Sequence, residues 1–90
     1  MTARHVFYEG KVQGVGFRYT VKRIASGYDV LGTVRNLDDG RVELIAAGER
    51  EELEAFLTGI EESELKSHIR QVERHVIDAP AGLRGFQIVH

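Results

Sequence analysis

Ninety residues, 42% of them hydrophobic and 29% charged, with a single proline, match the composition of an ordinary globular domain rather than a disordered, collagen-like or coiled-coil chain. A chain this short removes only roughly 60 to 65% of its extended surface from water on folding, which leaves room for one core, over residues 1–90, and excludes a second. Twelve Lys and Arg against fourteen Asp and Glu give a net charge of -2, which argues against broad polyanion binding, and the lack of cysteine removes disulfides, thiolate metal sites and thiol nucleophiles together.

Arg4 to Glu9 is rich in β-branched and aromatic residues and stops at Gly10, so it reads as a first strand. The loop that follows, GKVQGVG, places three glycines in seven residues and demands special backbone geometry. From Phe17 the period changes: Val21, Ile24, Ala25 and Tyr28 form one apolar stripe of a helix that ends near Gly27 to Asp29. Val30 to Asn36 and Arg41 to Ala47 flank Leu37, Asp38, Asp39 and Gly40, and an Asp-Gly pair between β-rich runs predicts a hairpin.

After Gly48, the spacing of Leu53, Phe56, Leu57 and Ile60 predicts a second helix, with Glu49, Glu51 and Glu52 near its positive N-terminal end. Ser67 to Ile77 reads as a fourth strand whose alternation slips, Ile69 being out of phase with Val72 and Val76, and a bulge accounts for the slip. Phe86 and Ile88 mark a short last strand. The order β-α-β-β-α-β predicts an α+β, ferredoxin-like split βαβ sandwich, with two helices on one face of an antiparallel sheet. In that topology the first and second strands run the same way with the third between them. Their C-terminal ends then lie on one edge, roughly 10 Å apart.

That edge carries the residues with chemistry to offer: the loop Gly10 to Gly16, Arg18 in the first helical turn, and Asn36 at the end of the second strand. A glycine loop feeding a helix start exposes several backbone N–H donors and the positive end of the macrodipole, which is a ready anion site. Arg18 adds a planar, permanently charged fork matched to phosphate oxygens. From the residues alone the plainer alternatives stay open: the glycines serve only a tight turn, Arg18 is a solvated helix-start residue, and Asn36 bonds its own backbone at the start of a hairpin.

GKVQGVGFR at residues 10–18, followed by GTVRNLDDGRVEL at residues 32–44, resembles the two signatures of the acylphosphatase family, Gly-x-Val-Gln-Gly-Val-x-Phe-Arg and Gly-aromatic-Val-x-Asn-x-x-x-Gly-x-Val. The resemblance extends over most of the chain and implies the fold already reached. It also implies hydrolysis of small acyl phosphates to a carboxylate and inorganic phosphate, with the phosphate as product and inhibitor and with neither metal nor cofactor. By similarity the catalytic residues are Arg18 and Asn36, and the phosphate-cradling backbone belongs to Val12, Gln13, Gly14, Val15 and Gly16. Two positions depart from the family pattern: Thr33 replaces a usual aromatic residue, and Tyr8 a common aliphatic one.

These few residues suffice for that chemistry. The departing carboxylate has a conjugate-acid pKa of roughly 4 to 5, so no general acid is required. A loose phosphoryl-transfer transition state needs mainly positioning and charge stabilisation, which Arg18 and the loop amides supply, while Asn36 orients the attacking water. The proton is expected to leave to the substrate phosphate or to solvent.

Competing readings carry less. GVGF resembles the aromatic motif of RNA-recognition domains, but there the motif lies on the third strand, and here that strand, RVELIAA, has no aromatic platform. The loop lacks the GKS or GKT of a Walker site, and His5, His68, His75 and His90 lack zinc spacings, reading as surface or strand residues. The run Glu49 to Glu54 reads as a solvated helix face. A non-catalytic phosphate-binding or interaction module of the same fold remains the alternative function. No apolar run approaches the roughly 18 residues a bilayer span needs, and Met1 to Glu9 has no signal-peptide core, so a soluble, cytoplasmic and monomeric chain without nucleic-acid or membrane partners is expected.

Overall fold

The structure, a computed structural model, describes all residues from Met1 to His90. The strands are β1 (Thr2–Gly10), β2 (Val30–Asn36), β3 (Val42–Gly48), β4 (Ile69–Ile77) and β5 (Phe86–Ile88), and the helices are α1 (Phe17–Ala25) and α2 (Arg50–Glu61). They form one five-stranded sheet in the order β4-β1-β3-β2-β5. Four strands are antiparallel, and β1 and β2 run the same way on either side of β3. The sheet is not purely antiparallel, because β5 pairs in parallel with β2 over Gly32↔Phe86 to Val34↔Ile88. This edge strand is held by side-chain packing as well as its ladder, with the Phe86 ring edge-on to Phe56 of α2 at 5.6 Å.

Alternation assigns the faces. Val6 and Tyr8 of β1, Val30 and Val34 of β2, and Val42, Leu44 and Ala46 of β3 turn to one side, where Phe17, Val21 and Ala25 of α1 and Leu53, Phe56, Leu57 and Ile60 of α2 close the core. The other face bears no helix and is polar at its centre. There Glu43 accepts from Arg35 Nε at 2.6 Å and meets His5 Nε2 at 2.9 Å, and the Arg41 guanidinium lies over the Phe7 ring. Burial raises the Glu43 pKa, but the hydrogen bonds from His5 and Arg35 and the charges behind them outweigh it and hold the carboxyl below its ordinary value.

The boundaries differ from the sequence reading where local hydrogen bonds decide. α1 ends at Ala25 rather than near Gly27: the amides of Ser26, Gly27 and Tyr28 bond three residues back, and the Ser26 hydroxyl bonds the Arg23 carbonyl. Tyr28 still lies against Phe56 because this tightened turn extends the apolar stripe. Ser67 and His68 belong not to the fourth strand but to a 3-10 helix, Glu64–His68, whose first turn is capped by the Ser63 hydroxyl accepting from Leu65 N at 3.1 Å. The bulge is present: Glu9 faces Gln71 whereas Gly10 faces Ile69, leaving Arg70 as the extra residue. Its effect is to turn both Ile69 and Val72 against the core. The glutamate run is more than a solvated face, since Glu54 pairs with Arg4 and Arg74, tying α2 to β1 and β4.

Candidate active site

Val42, near the start of β3, faces Tyr8 of β1 on one side and Asn36 of β2 on the other. The exits of β1 and β2 therefore flank a single strand on one edge of the sheet. The β1–α1 loop is pinned there at three points. Tyr8 is fully buried with its ring 5.1 Å from that of Phe17, the first residue of α1, and Val12, between them in sequence, is buried as well. The third pin is Gln13, whose side-chain Nε2 donates to the carbonyls of Leu37 at 2.7 Å and Arg41 at 2.9 Å. This clamp joins the loop to the hairpin turn directly after Asn36.

Between the pins the backbone needs glycine. Gly14 and Gly16 sit at φ 79° and 77°, a region that costs an ordinary L-residue of order 1 kcal/mol. Gly16 is also the residue before α1; it supplies no side-chain cap, and the first turn of the helix holds no acidic residue. The amides opening α1 are thus left without an internal anion.

A small pocket of about 110 Å³ forms at this junction. Val12, Gly14 and Gly16 of the loop, Arg18 and Tyr19 of α1, and Asn36 of β2 line it. Of the seven residues singled out from the sequence, these include five: Arg18, Asn36, Val12, Gly14 and Gly16. Gln13 and Val15 are outside the lining; the Gln13 side chain is spent on the hairpin, and Val15 projects to solvent, 38% exposed. Neither Arg18 nor Asn36 has a carboxylate partner, and Arg18 makes one side-chain contact, Nη1 to His90 Nδ1 at 3.2 Å. A wider groove of about 430 Å³ lies beside Lys11, His68 and Arg70, but it brings in neither Arg18 nor Asn36.

Both departures from the family pattern fall outside the pocket lining. Thr33 pairs with Ile45 and Gln87 and alternates onto the helix-free face. Tyr8 is core; burial, reinforced by the Glu61 charge and opposed by Arg74, pushes its phenol pKa up, and its hydroxyl has no partner. The sequence reading missed two side-chain contacts at the site, those of Gln13 and His90. Nothing in the loop pattern announces the Gln13 side-chain clamp, and the placement of His90 depends on the parallel pairing of β5. No cluster of three or more His, Cys, Asp or Glu is placed to hold a metal ion, and no helix is long and apolar enough to cross a membrane.

Comparison with known proteins agrees with this architecture. The acylphosphatase family model matches residues 4–88. An acylphosphatase of Listeria welshimeri is 61% identical over 51 residues, a stretch that takes in 57% of this chain and 55% of that one, so the match spans about half the length of the relative. An acylphosphatase of Haloarcula marismortui is 40% identical over 87 residues, covering 97% of this chain and 94% of the other. Among solved structures, the acylphosphatase from Bacillus subtilis superposes with a TM-score of 0.90 at 33% identity, covering 100% of both chains. With nearly every position matched and the backbone of a solved member followed from end to end, this chain belongs to the acylphosphatase family.

Proposed function

We propose that the chain hydrolyses acyl phosphates to a carboxylate and inorganic phosphate, by direct attack of a positioned water at phosphorus. The observation that carries the reading is the pocket in which Arg18 and Asn36 meet across the loop containing Gly14 and Gly16. Arg18 and the amides of residues 12–16 bind the phosphoryl oxygens, where the uncapped start of α1 adds its partial positive charge. The transition state spreads negative charge over those oxygens, so donors fixed in advance stabilise it without reorganising.

Asn36 orients the attacking water through its carboxamide. Oxygen of that water bonds to phosphorus as the bond from phosphorus to the acyl oxygen breaks, and the electron pair leaves with the carboxylate. The water proton passes to a phosphate oxygen or to solvent, because no histidine or carboxylate lines the pocket. The contacts grip the phosphoryl group and leave the acyl part open, which fits small acyl phosphates broadly. A cysteine-free sequence suits a reducing compartment, and the chain is read as acting in the cytoplasm as a monomer.

Turnover of a simple aryl acyl phosphate by the purified chain, with inorganic phosphate as a competitive inhibitor, is the expected result. Phosphate binding without turnover would leave a binding module in place of an enzyme.

A further inference from the structure

Three of the four histidines have unremarkable settings. His5 and His75 each meet a glutamate, at 2.9 and 2.7 Å, on the helix-free face of the sheet, and His68 ends the 3-10 helix. His90 is different, because its polar neighbour is a cation: Nδ1 lies 3.2 Å from Arg18 Nη1. A guanidinium has N–H donors and no acceptor, so in this contact Nδ1 accepts and carries no proton. The neutral ring then bears its proton on Nε2. A ring protonated at both nitrogens has no acceptor left and sets a second positive charge beside the first.

Packing brings the two together. Val89 N donates to the Val34 carbonyl at 3.0 Å, continuing the parallel β2–β5 ladder by one residue and aiming His90 at the edge where Asn36 ends β2. From α1 the charged group facing the ring is Arg18, with Lys22 one turn further along the helix. From β2 the nearest charged residue in sequence, Arg35, is held by Glu43 on the opposite face of the sheet. No Asp or Glu side chain pairs with His90 to keep a protonated ring in place, in contrast to His5 and His75.

The geometry points to His90 as a positioning residue for Arg18: the neutral imidazole holds one guanidinium nitrogen and leaves the other donors for the anion, and protonation of the ring releases the guanidinium. Anion affinity then falls on acidification, as a freed side chain must again lose rotamer freedom to bind. The inference rests on Arg18 being the anion anchor of the proposed function, so its test reads binding rather than turnover.

Sulfate is the probe, since it keeps its charge across the interval of about pH 5 to 8 in which an ordinary histidine titrates. Calorimetric titrations would compare the parent chain, His90→Asn and His90→Ala. Asparagine offers a carbonyl oxygen near the place of Nδ1 and does not ionise. At about pH 8 the parent and His90→Asn are expected to bind alike and His90→Ala roughly three- to tenfold more weakly, the range for losing a typical net hydrogen bond.

As pH falls to about 5 the parent should drop to the alanine level while His90→Asn keeps its advantage. The parent-to-asparagine ratio cancels titration of every other group, and urea unfolding of each variant checks the fold. A flat ratio overturns the inference. So does a parent that tightens relative to His90→Asn in acid, because the imidazolium would then grip sulfate itself, and so does an alanine variant that matches the parent at the alkaline end. Undiminished sulfate binding by Arg18→Ala would instead remove the anchor on which the proposed function depends.

Discussion

The chain makes the passage from strand to helix twice, at opposite ends of the sheet, and the two junctions differ in charge. Between β1 and α1 lie six residues, Lys11 to Gly16, and the helix opens after a left-handed glycine with Arg18 and no acidic residue in its first turn. Between β3 and α2 lies Glu49 alone, and that helix opens with Glu51 and Glu52. Neither helix start has a side-chain cap. The α2 start is thus compensated by its own carboxylates, one of which, Glu52, also accepts from Asp29 N at 2.8 Å. At α1 the compensation is withheld, and a loop long enough to curl around a small anion stands in its place. The lesson is that the anion site proposed for this helix start rests on what the sequence omits there as much as on what it supplies.

The sharpest way to break the comparison is to remove Arg18, the cation that lines the pocket at the open junction. Arg18→Ala is expected to lower kcat/KM by about 1,000-fold and to abolish measurable phosphate inhibition, and Arg18→Lys should recover only part, because a point charge replaces a fork. Asn36→Ala should cost about 100-fold in kcat while leaving phosphate inhibition nearly intact. Equal damage to binding and turnover would point to a disturbed fold instead.

Copying the α2 pattern onto α1 sharpens the contrast. Tyr19→Glu puts a carboxylate in the first turn of α1, beside the pocket that Tyr19 lines, and is expected to weaken phosphate binding roughly fivefold through repulsion and partial neutralisation of the helix start. Calorimetry reads this directly, and unchanged affinity would mean that the start of α1 contributes no field to the site.

The smallest expected effect lies away from both junctions, at Glu43 under His5 and Arg35 on the helix-free face. Its folded-state pKa is depressed, so its stabilising contribution is complete above the ordinary glutamate value of 4.5 and is lost as pH falls through the lower folded value. Glu43→Gln should cost about 1 kcal/mol at neutral pH and lose less than the parent between neutral pH and acid. Urea midpoints measured from neutral pH to about 3 test this, and parallel curves would exclude the network.

Much of this was legible in the sequence because it rests on local chemistry. Periods of 3.6 and 2, the Asp-Gly hairpin and the glycine loop specify the elements, and the phase slip at Ile69 announced the bulge that the structure places at Arg70. Strand order places the end of β2 and the exit of β1 on one edge, but singling out Arg18 and Asn36 there took the resemblance of residues 10–18 and 32–44 to the family signatures. What stayed hidden depends on contacts distant in sequence. Gln13 reaches carbonyls 24 and 28 residues away, and Arg18 meets a ring 72 residues away. Neither pairing leaves a periodicity to read. The 3-10 helix was missed because Ser67 and His68 sit next to a genuine β-run, while the signal that stops it, the Ser63 cap, lies upstream.

The sheet has two margins, β4 and β5, each with unpaired backbone groups that another chain could extend. One margin is only three residues long, too short to template much. The longer one carries Arg70, Glu73, Arg74 and His75, with Arg74 bonded to Glu54 and Glu61 so that charge and α2 crowd the same border. A neighbouring strand laid along it would have to strip water from those groups and break that network. In this way the margins discourage fibrous association.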